Sequence, residues 1–498
     1  MVTPVSQPMH GTTMATVRAQ ARLGSRLSDF RELALLWIVL VGYLAAYESP
    51  EIQNNYWMNL AGPIGIILIL SLGSWWQLKR EPLSIWMPLF WFRIATATYF
   101  GVGAIAPYIA NDETLVFIKS LYSFSEQEAL KVGLVNIVCI WTVLGVATFF
   151  RIPPIAVLGG RIISPQSWTI RFAAIFLMAG GFVRYLIVLP ASFGLLDNVP
   201  GVIMPLGKSY VVGLFLLVLA GLRGNRAAKV CAIILLPIDL AVGLLTFAKT
   251  EVMLTLIVTF LAFLHGRITI TRIMLGLTII FGIYSQLDPI VHYGRAKGWR
   301  QFRDAPISLS NRVELLRSYT DQQALPFELA NRQTALSRLC YLNAAAMVIR
   351  YFDTGEPGWS MANAFIVVIP RFIWPNKPEI TSVGKELYTR ATQYDGSSIS
   401  PGLFSEAYWN FGWLGLPILM IPLGVILSLF SRYSIGVMRR EAWLHLPAVL
   451  LGVSVGVRVD GWYVADIIGA SATALVYATL FFFIERHAGQ QPANAWRK

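Results

Sequence analysis

The polar stretch from Pro370 to Gly412, PRFIWPNKPEITSVGKELYTRATQYDGSSISPGLFSEAYWNFG, gathers three kinds of side chain able to do chemistry. Arg371, Lys377, Lys385 and Arg390 are cations; Glu379, Glu386, Asp395 and Glu406 are carboxylates; Trp374, Tyr388, Tyr394, Tyr408 and Trp409 are aromatic. Cations suit a diphosphate, carboxylates suit hydroxyls, and aromatic faces suit sugar rings. Pro370, Pro375, Pro378 and Pro401 restrict the backbone, so the stretch reads as a held loop rather than a free linker.

A second candidate is Thr246-Phe-Ala-Lys249-Thr250-Glu251, a tight connection between two apolar runs. Lys249 at a helix start would meet an anion with its own charge and with free backbone N–H groups, which suits phosphate or pyrophosphate. The plainer reading is a solvated hairpin. Arg93, Arg184, Lys208, Asp239 and Arg458 fall inside apolar runs. Each costs about 2.5 to 3.5 kcal/mol there unless it finds a partner or a water-filled cavity. Asp239 is expected to neutralise a neighbouring cation, but one acid does not neutralise four. Arg93, Arg184 and Arg458 are therefore candidates to meet an anionic ligand from the outer leaflet, the alternative being internal pairing or snorkelling.

The elements that position these residues are membrane spans. Hydrophobic residues make up 56% of the chain and charged residues 13%, with a mean hydropathy of +0.59, outside the range of a soluble domain. A bilayer core of about 30 Å needs about 20 apolar residues per helix. Twelve runs approach that length, centred on 33–47, 57–76, 85–108, 130–150, 170–190, 201–222, 230–247, 252–265, 273–287, 406–430, 445–459 and 464–484. With the N-terminus inside, 20 of the 40 Lys and Arg residues fall in cytoplasmic segments and only Lys119, Lys131 and Lys249 in short outer loops. That partition places both termini in the cytoplasm. The net charge of +13 then reflects topology and anionic lipid, and nucleic-acid binding has no place in the account.

The expected organisation is a cytoplasmic tail (1–32) without a removable signal peptide, nine spans (33–287), a large extracytoplasmic loop (288–405), three spans (406–484) and a cytoplasmic tail (485–498). Within the loop, Asn331 to Tyr351 has helical apolar spacing with interspersed arginines, which predicts an amphipathic helix on the membrane surface. Ala362 to Ile369 is apolar but too short to span, which predicts a re-entrant or interfacial segment. No disulfide framework follows from Cys139, Cys231 and Cys340. No metal or other cofactor is expected, since His292 is the one outer histidine of five and has no clustered ligands.

PRFIWPNKP (370–378), followed by ISPGLFSEAYWNFGWLG (399–415), resembles the bacterial O-antigen and exopolysaccharide repeat-unit polymerases of the Wzy type. The detailed likeness covers about 45 residues, and the remainder agrees in hydropathy. TFAKTE is similar to a family segment in which Arg more often stands where Lys249 does here, a change that loses bidentate geometry. The resemblance implies an all-α polytopic fold of the GT-C type, in the bacterial cytoplasmic membrane. It implies inverting glycosyl transfer between undecaprenyl-diphosphate-linked glycans, with a flippase and a chain-length regulator as partners. Arg371 and Lys377, then Lys249, Arg184 and Arg390, would stabilise the departing diphosphate. Glu406 first, or Asp395, would deprotonate the acceptor hydroxyl. Trp374, Tyr408 and Trp409 would contact sugars. For Glu406 the alternative is a carboxylate stabilised by a helix N-terminus. Two rival functions stay open. A ligase would use His292 with Arg295 and Lys297, whereas a twelve-span transporter or flippase would have matched halves and broken helices, of which the sequence gives no sign.

Overall fold

The computed structural model describes residues 11–49, 56–150, 166–196, 203–265, 268–302, 307–321, 335–369, 373–374, 377, 382–393 and 397–489. Among the described residues the chain is helical throughout, with no strand. Nine helices among the described residues are long and apolar enough to cross a membrane: Phe30–Glu48, Trp57–Arg80, Pro88–Ile109, Glu126–Phe149, Trp168–Ser192, Arg226–Leu245, Thr271–Arg295, Leu403–Arg440 and Tyr463–Arg486. The other three expected runs are helical but shorter, as Leu206–Leu222, Lys249–His265 and Trp443–Val457. A 17-residue helix such as Lys249–His265 rises only about 26 Å, short of the bilayer core.

Local signals set several helix starts. Ser125 and Glu128 form a reciprocal capping box at the head of Glu126–Phe149. Asn225 caps Arg226–Leu245 by accepting the Ala228 N–H at 2.8 Å. The helices then pack into two cores. One joins the first four spans to Leu342–Asp353, Leu403–Phe411 and the first half of Gly415–Arg440. The other joins Gln166–Val183, Met204–Leu222, Arg226–Leu245 and Lys249–His265 to the last half of Gly415–Arg440 and the final spans. Ile38, Leu68, Met178, Phe281 and Leu475 are exposed on the outside of the bundle, as lipid contact requires.

Ion pairs between Arg439 and Glu81 and between Arg223 and Glu441 tie helix ends together at one end of the bundle, here called the basic end. The opposite end carries the cap. Ile270–Phe302 is a single helix of 33 residues that continues well past residue 287 before Leu309–Asp321 follows. The amphipathic surface helix expected over Asn331 to Tyr351 is corrected: its start lies outside the described residues, and the rest is two helices, Ala335–Leu339 and Leu342–Asp353. Residues Leu342 to Ile349 are all buried against Glu126–Phe149 and Leu403–Phe411, so this helix belongs to the core. Its apolar face was legible; the protein partner that covers it was not. The segment from Ala362 to Ile369 is short helix, docked on Tyr463–Gly469 with Phe365 exposed.

Three spans are interrupted by π-helical turns, Ala97–Val102, Arg184–Val188 and Tyr463–Gly469. The sequence gives no sign of broken helices, and these interruptions were not legible in it. A π turn inserts one residue into the helical ladder and needs neither Gly nor Pro, so it leaves no sequence signature.

Candidate functional site

All three π turns deliver polar residues to one region of the capped half. The first supplies Tyr99, the second begins at Arg184, and the third contains Asp466. Between Val457 and Tyr463 the chain is unwound for the five residues Arg458 to Trp462. Asp460, in that break, accepts the Tyr341 hydroxyl at 3.2 Å and is also bonded by Tyr99. The two tyrosine rings meet edge to face with centroids 5.5 Å apart. Asp466 pairs with Arg458 and accepts the Trp462 N–H at 2.9 Å.

On the other side of this region, Arg184 is buried between two carboxylates, Asp239 at 3.1 Å and Glu251 at 2.7 Å. Asp239 is completed by hydroxyl donation from Thr255 (2.6 Å) and Tyr185 (3.1 Å). Lys208 bridges the halves, since its charge is within electrostatic range of Glu251, Arg458 and Arg184. Lys208 and Arg458 are exposed, whereas Arg184 is not. The accessible cations are therefore Lys208 and Arg458.

Arg93 is a corrected expectation. Its guanidinium is held by both oxygens of Glu32 at 2.9 Å and by Gln77 at 2.8 Å, toward the basic end of the bundle. Glu32, Glu251 and Asp466 were overlooked as partners because each lies just outside or at the edge of an apolar run. With them, Arg93, Arg184 and Arg458 all have internal counter-ions.

Lys249 begins the Lys249–His265 helix, as expected, with its ammonium 5.5 Å from the Tyr284 ring centroid. The preceding turn holds Phe247 at φ 50°, a left-handed conformation unfavourable for a bulky side chain. Two arginines from the cap hold it. Arg295 donates to the Phe247 carbonyl at 2.7 Å. Arg312 donates to the carbonyls of Thr246 (2.9 Å), Leu245 (3.2 Å) and Ser192 (3.0 Å). It also stacks on Phe193 and Phe247. Sequence reading named Arg295 only as a ligase-like cation and did not name Arg312; the two sit 48 and 66 residues from the carbonyls they bind. Lys297, the other cation of the ligase-like motif, donates to Tyr293 at 2.8 Å.

Arg371 and Asp395 lie outside the described residues. The rest of the Pro370 to Gly412 stretch is strongly tied down. Lys377 is buried and donates to the carbonyls of Val367 (3.0 Å) and Ile369 (2.9 Å), closing the short helix behind it. Arg390 pairs with Glu356 and covers the Tyr351 ring at 4.4 Å. Glu406 is 0% exposed, with one oxygen accepting the Ser360 hydroxyl at 2.6 Å and the other the Tyr463 N–H at 2.6 Å. Asn410 donates to Ser360 at 2.8 Å and completes the cluster. In this arrangement Glu406 is a clamp between three segments, with no face open to a substrate hydroxyl. Tyr408 is buried, donates to Asp353 at 2.9 Å and lies under Lys131 at 5.1 Å; buried Trp409 donates to the Glu356 carbonyl at 3.2 Å. Trp374 alone of the three expected sugar-contacting rings stays open to solvent.

The structure thus brings Arg184 and Lys249 toward a common region and adds Lys208, Arg458, Asp460 and Tyr341 to it. Burial pushes the Asp460 carboxyl above its ordinary range, against the lowering effect of its hydrogen bonds. Burial and the facing Asp460 charge push the Tyr341 hydroxyl up as well, so it stays a proton donor to the carboxylate. The available sequence signal for Asp460 was the Asp-Gly pair between the last two apolar runs, a turn signature rather than a span. No family model, no curated protein and no solved structure matches the chain.

Proposed function

We propose that this protein is a polysaccharide polymerase that joins undecaprenyl-diphosphate-linked oligosaccharide repeat units by inverting glycosyl transfer. The observation that carries the reading is the accessible pair Lys208 and Arg458 near the half-buried carboxylate Asp460, at the capped end of an apolar bundle. It is supported by the likeness of residues 370–378 and 399–415 to repeat-unit polymerases. In this reading the bundle has twelve spans of GT-C-like type in a bacterial cytoplasmic membrane, with both termini in the cytoplasm and the cap outside.

The acceptor hydroxyl oxygen forms a bond to the anomeric carbon of the donor glycan while the bond from that carbon to the diphosphate oxygen breaks. Undecaprenyl diphosphate leaves with the electron pair. Lys208, Arg458 and Lys249 stabilise its developing charge, with Arg371 as a further contributor. Asp460 takes the hydroxyl proton, a role that passes to it from Glu406 because Glu406 is spent on the clamp. Arg184 holds Asp239 and Glu251 so that the second π turn keeps its shape. A flippase supplying the lipid-linked unit and a chain-length regulator are the partners implied.

A transporter or flippase reading is favoured by one observation, the interruption of three spans near the polar region. Purified protein in nanodiscs, offered lipid-linked repeat units alone, separates the two. A product ladder is expected. Transport of the intact unit across proteoliposomes without a ladder would overturn the polymerase reading.

A further inference from the structure

At the basic end of the bundle, remote from the polar region of the cap, the structure contains a cavity of about 280 Å³ among the first, second, third and fourth spans and Gly415–Arg440. Its floor is the Glu32–Arg93 pair with Gln77, already neutral and fully hydrogen-bonded. Its wall carries Arg432, half-buried, which has no carboxylate or carbonyl partner among the described residues. A guanidinium half-withdrawn from water at the end of an apolar bundle is better satisfied when an anion completes it. Arg93, Arg184, Arg223, Arg439 and Arg458 each have such a partner.

The shape of the site narrows the anion. A volume of 280 Å³ is at the lower limit of about 300 Å³ for small-molecule pockets, too small for an oligosaccharide repeat unit and adequate for a phosphoryl headgroup. Trp76 lines the cavity and is 36% exposed, and Phe149 beside the adjoining Ala147 and Thr148 is 62% exposed. An aromatic rim at the end of apolar helices is the arrangement found where a bilayer meets water. Such a rim favours a mouth at headgroup level over one in bulk solvent.

We propose that this cavity binds the phosphodiester headgroup of an anionic membrane phospholipid, with Arg432 as its charge partner. Arg432 donates to the phosphoryl oxygens, while the acyl chains run along the exposed apolar faces of the first two spans. The Glu32 carboxylate, already committed to Arg93, adds little repulsion. Free phosphate shares the headgroup chemistry, but it lacks the chains that the apolar rim accommodates.

The test is retention of lipid by the purified full-length protein, read by native mass spectrometry after exchange into detergent supplemented with phosphatidylglycerol or phosphatidylcholine. Wild type is expected to retain phosphatidylglycerol at least tenfold better than phosphatidylcholine. Arg432→Gln is expected to lose that preference, and Arg223→Gln, whose arginine pairs with Glu441 elsewhere on the same end, is expected to keep it. Ala147→Phe fills the cavity with Arg432 intact and is expected to exclude the lipid, which covers the case in which Arg432→Gln does not fold. Equal retention of the two lipids, or unchanged retention in Arg432→Gln and Ala147→Phe, overturns the proposal. Displacement of phosphatidylglycerol by equimolar inorganic phosphate overturns the lipid source and assigns the cavity to a free anion.

Discussion

The carboxylate of Glu406 accepts the backbone N–H of Tyr463 at 2.6 Å, fifty-seven residues along the chain, while its other oxygen accepts the hydroxyl of Ser360. One buried side chain thus fastens the Leu403–Phe411 helix to the π turn of the last span and to the cap. Glu406→Gln keeps the volume but turns one acceptor into a donor facing another donor. It should cost about 1–3 kcal/mol of stability, seen as a lower Tm in detergent, with turnover per folded molecule retained. A stable but inactive variant would return the base role to Glu406.

Asp460→Asn should leave folding intact and reduce ladder formation by about 100-fold or more, within the range for loss of a general base. The pH dependence has a definite sign. Burial raises the Asp460 carboxyl, so activity, which needs the ionised form, should fall as pH drops through a value above the ordinary carboxylate range. Stability runs the other way: the folded state holds this proton more tightly than the unfolded chain, so the contribution is present at low pH and is lost as pH rises through the folded value. Rate profiles of wild type and Asp460→Glu, with thermal unfolding at the same pH values, check both limbs.

Arg184→Ala strands Asp239 and Glu251 without their shared cation. Breaking a buried pair in this way should cost about 3–5 kcal/mol, enough to lower the yield of folded protein. Arg184→Lys, which restores charge but not the two-sided geometry, should recover part of the loss. Normal thermal stability in Arg184→Ala, together with lost activity, would instead favour direct contact with a diphosphate.

Arg312 donates to four carbonyls, two of them in the turn before the Lys249 helix, and stacks on two aromatic rings. Arg312→Lys cannot reproduce that fork, and the Thr246 to Glu251 turn should become sensitive to limited proteolysis. Ladder formation should fall by about tenfold or more even where the protein stays folded, because small displacements of a positioned charge weaken a transition state steeply.

Gly103 sits against the cap, where an added Cβ would lie 1.9 Å from the Leu339 carbonyl oxygen. Gly103→Ala should push the Ala335–Leu339 helix outward and move Tyr341 away from Asp460. Reduced activity with faster hydrogen exchange in residues 335–345, and unchanged exchange at the basic end, is the expected signature.

The amino-acid sequence by itself determined the polytopic helical class, because long apolar runs have no other way to satisfy their backbone groups in lipid. It also located the Lys249 helix start, which follows from local residue types, and marked Ala362 to Ile369 as too short to span. It did not determine the partners of charged residues. Glu32 reaches Arg93 across 61 residues, and Glu251 reaches Arg184 across 67, distances over which hydropathy carries no pairing information. Asp460 was hidden for a related reason. Its importance comes from Tyr99, Tyr341 and the three π turns that converge near it, and such convergence is a property of packing. Glu406 shows the converse, since its residue type and position at the head of an apolar run suited a catalytic base, and only the closed shell of Ser360, Asn410 and Tyr463 made it a clamp. Chemistry-bearing residue types are written locally in the chain, whereas access and pairing are decided by which helices the fold places side by side.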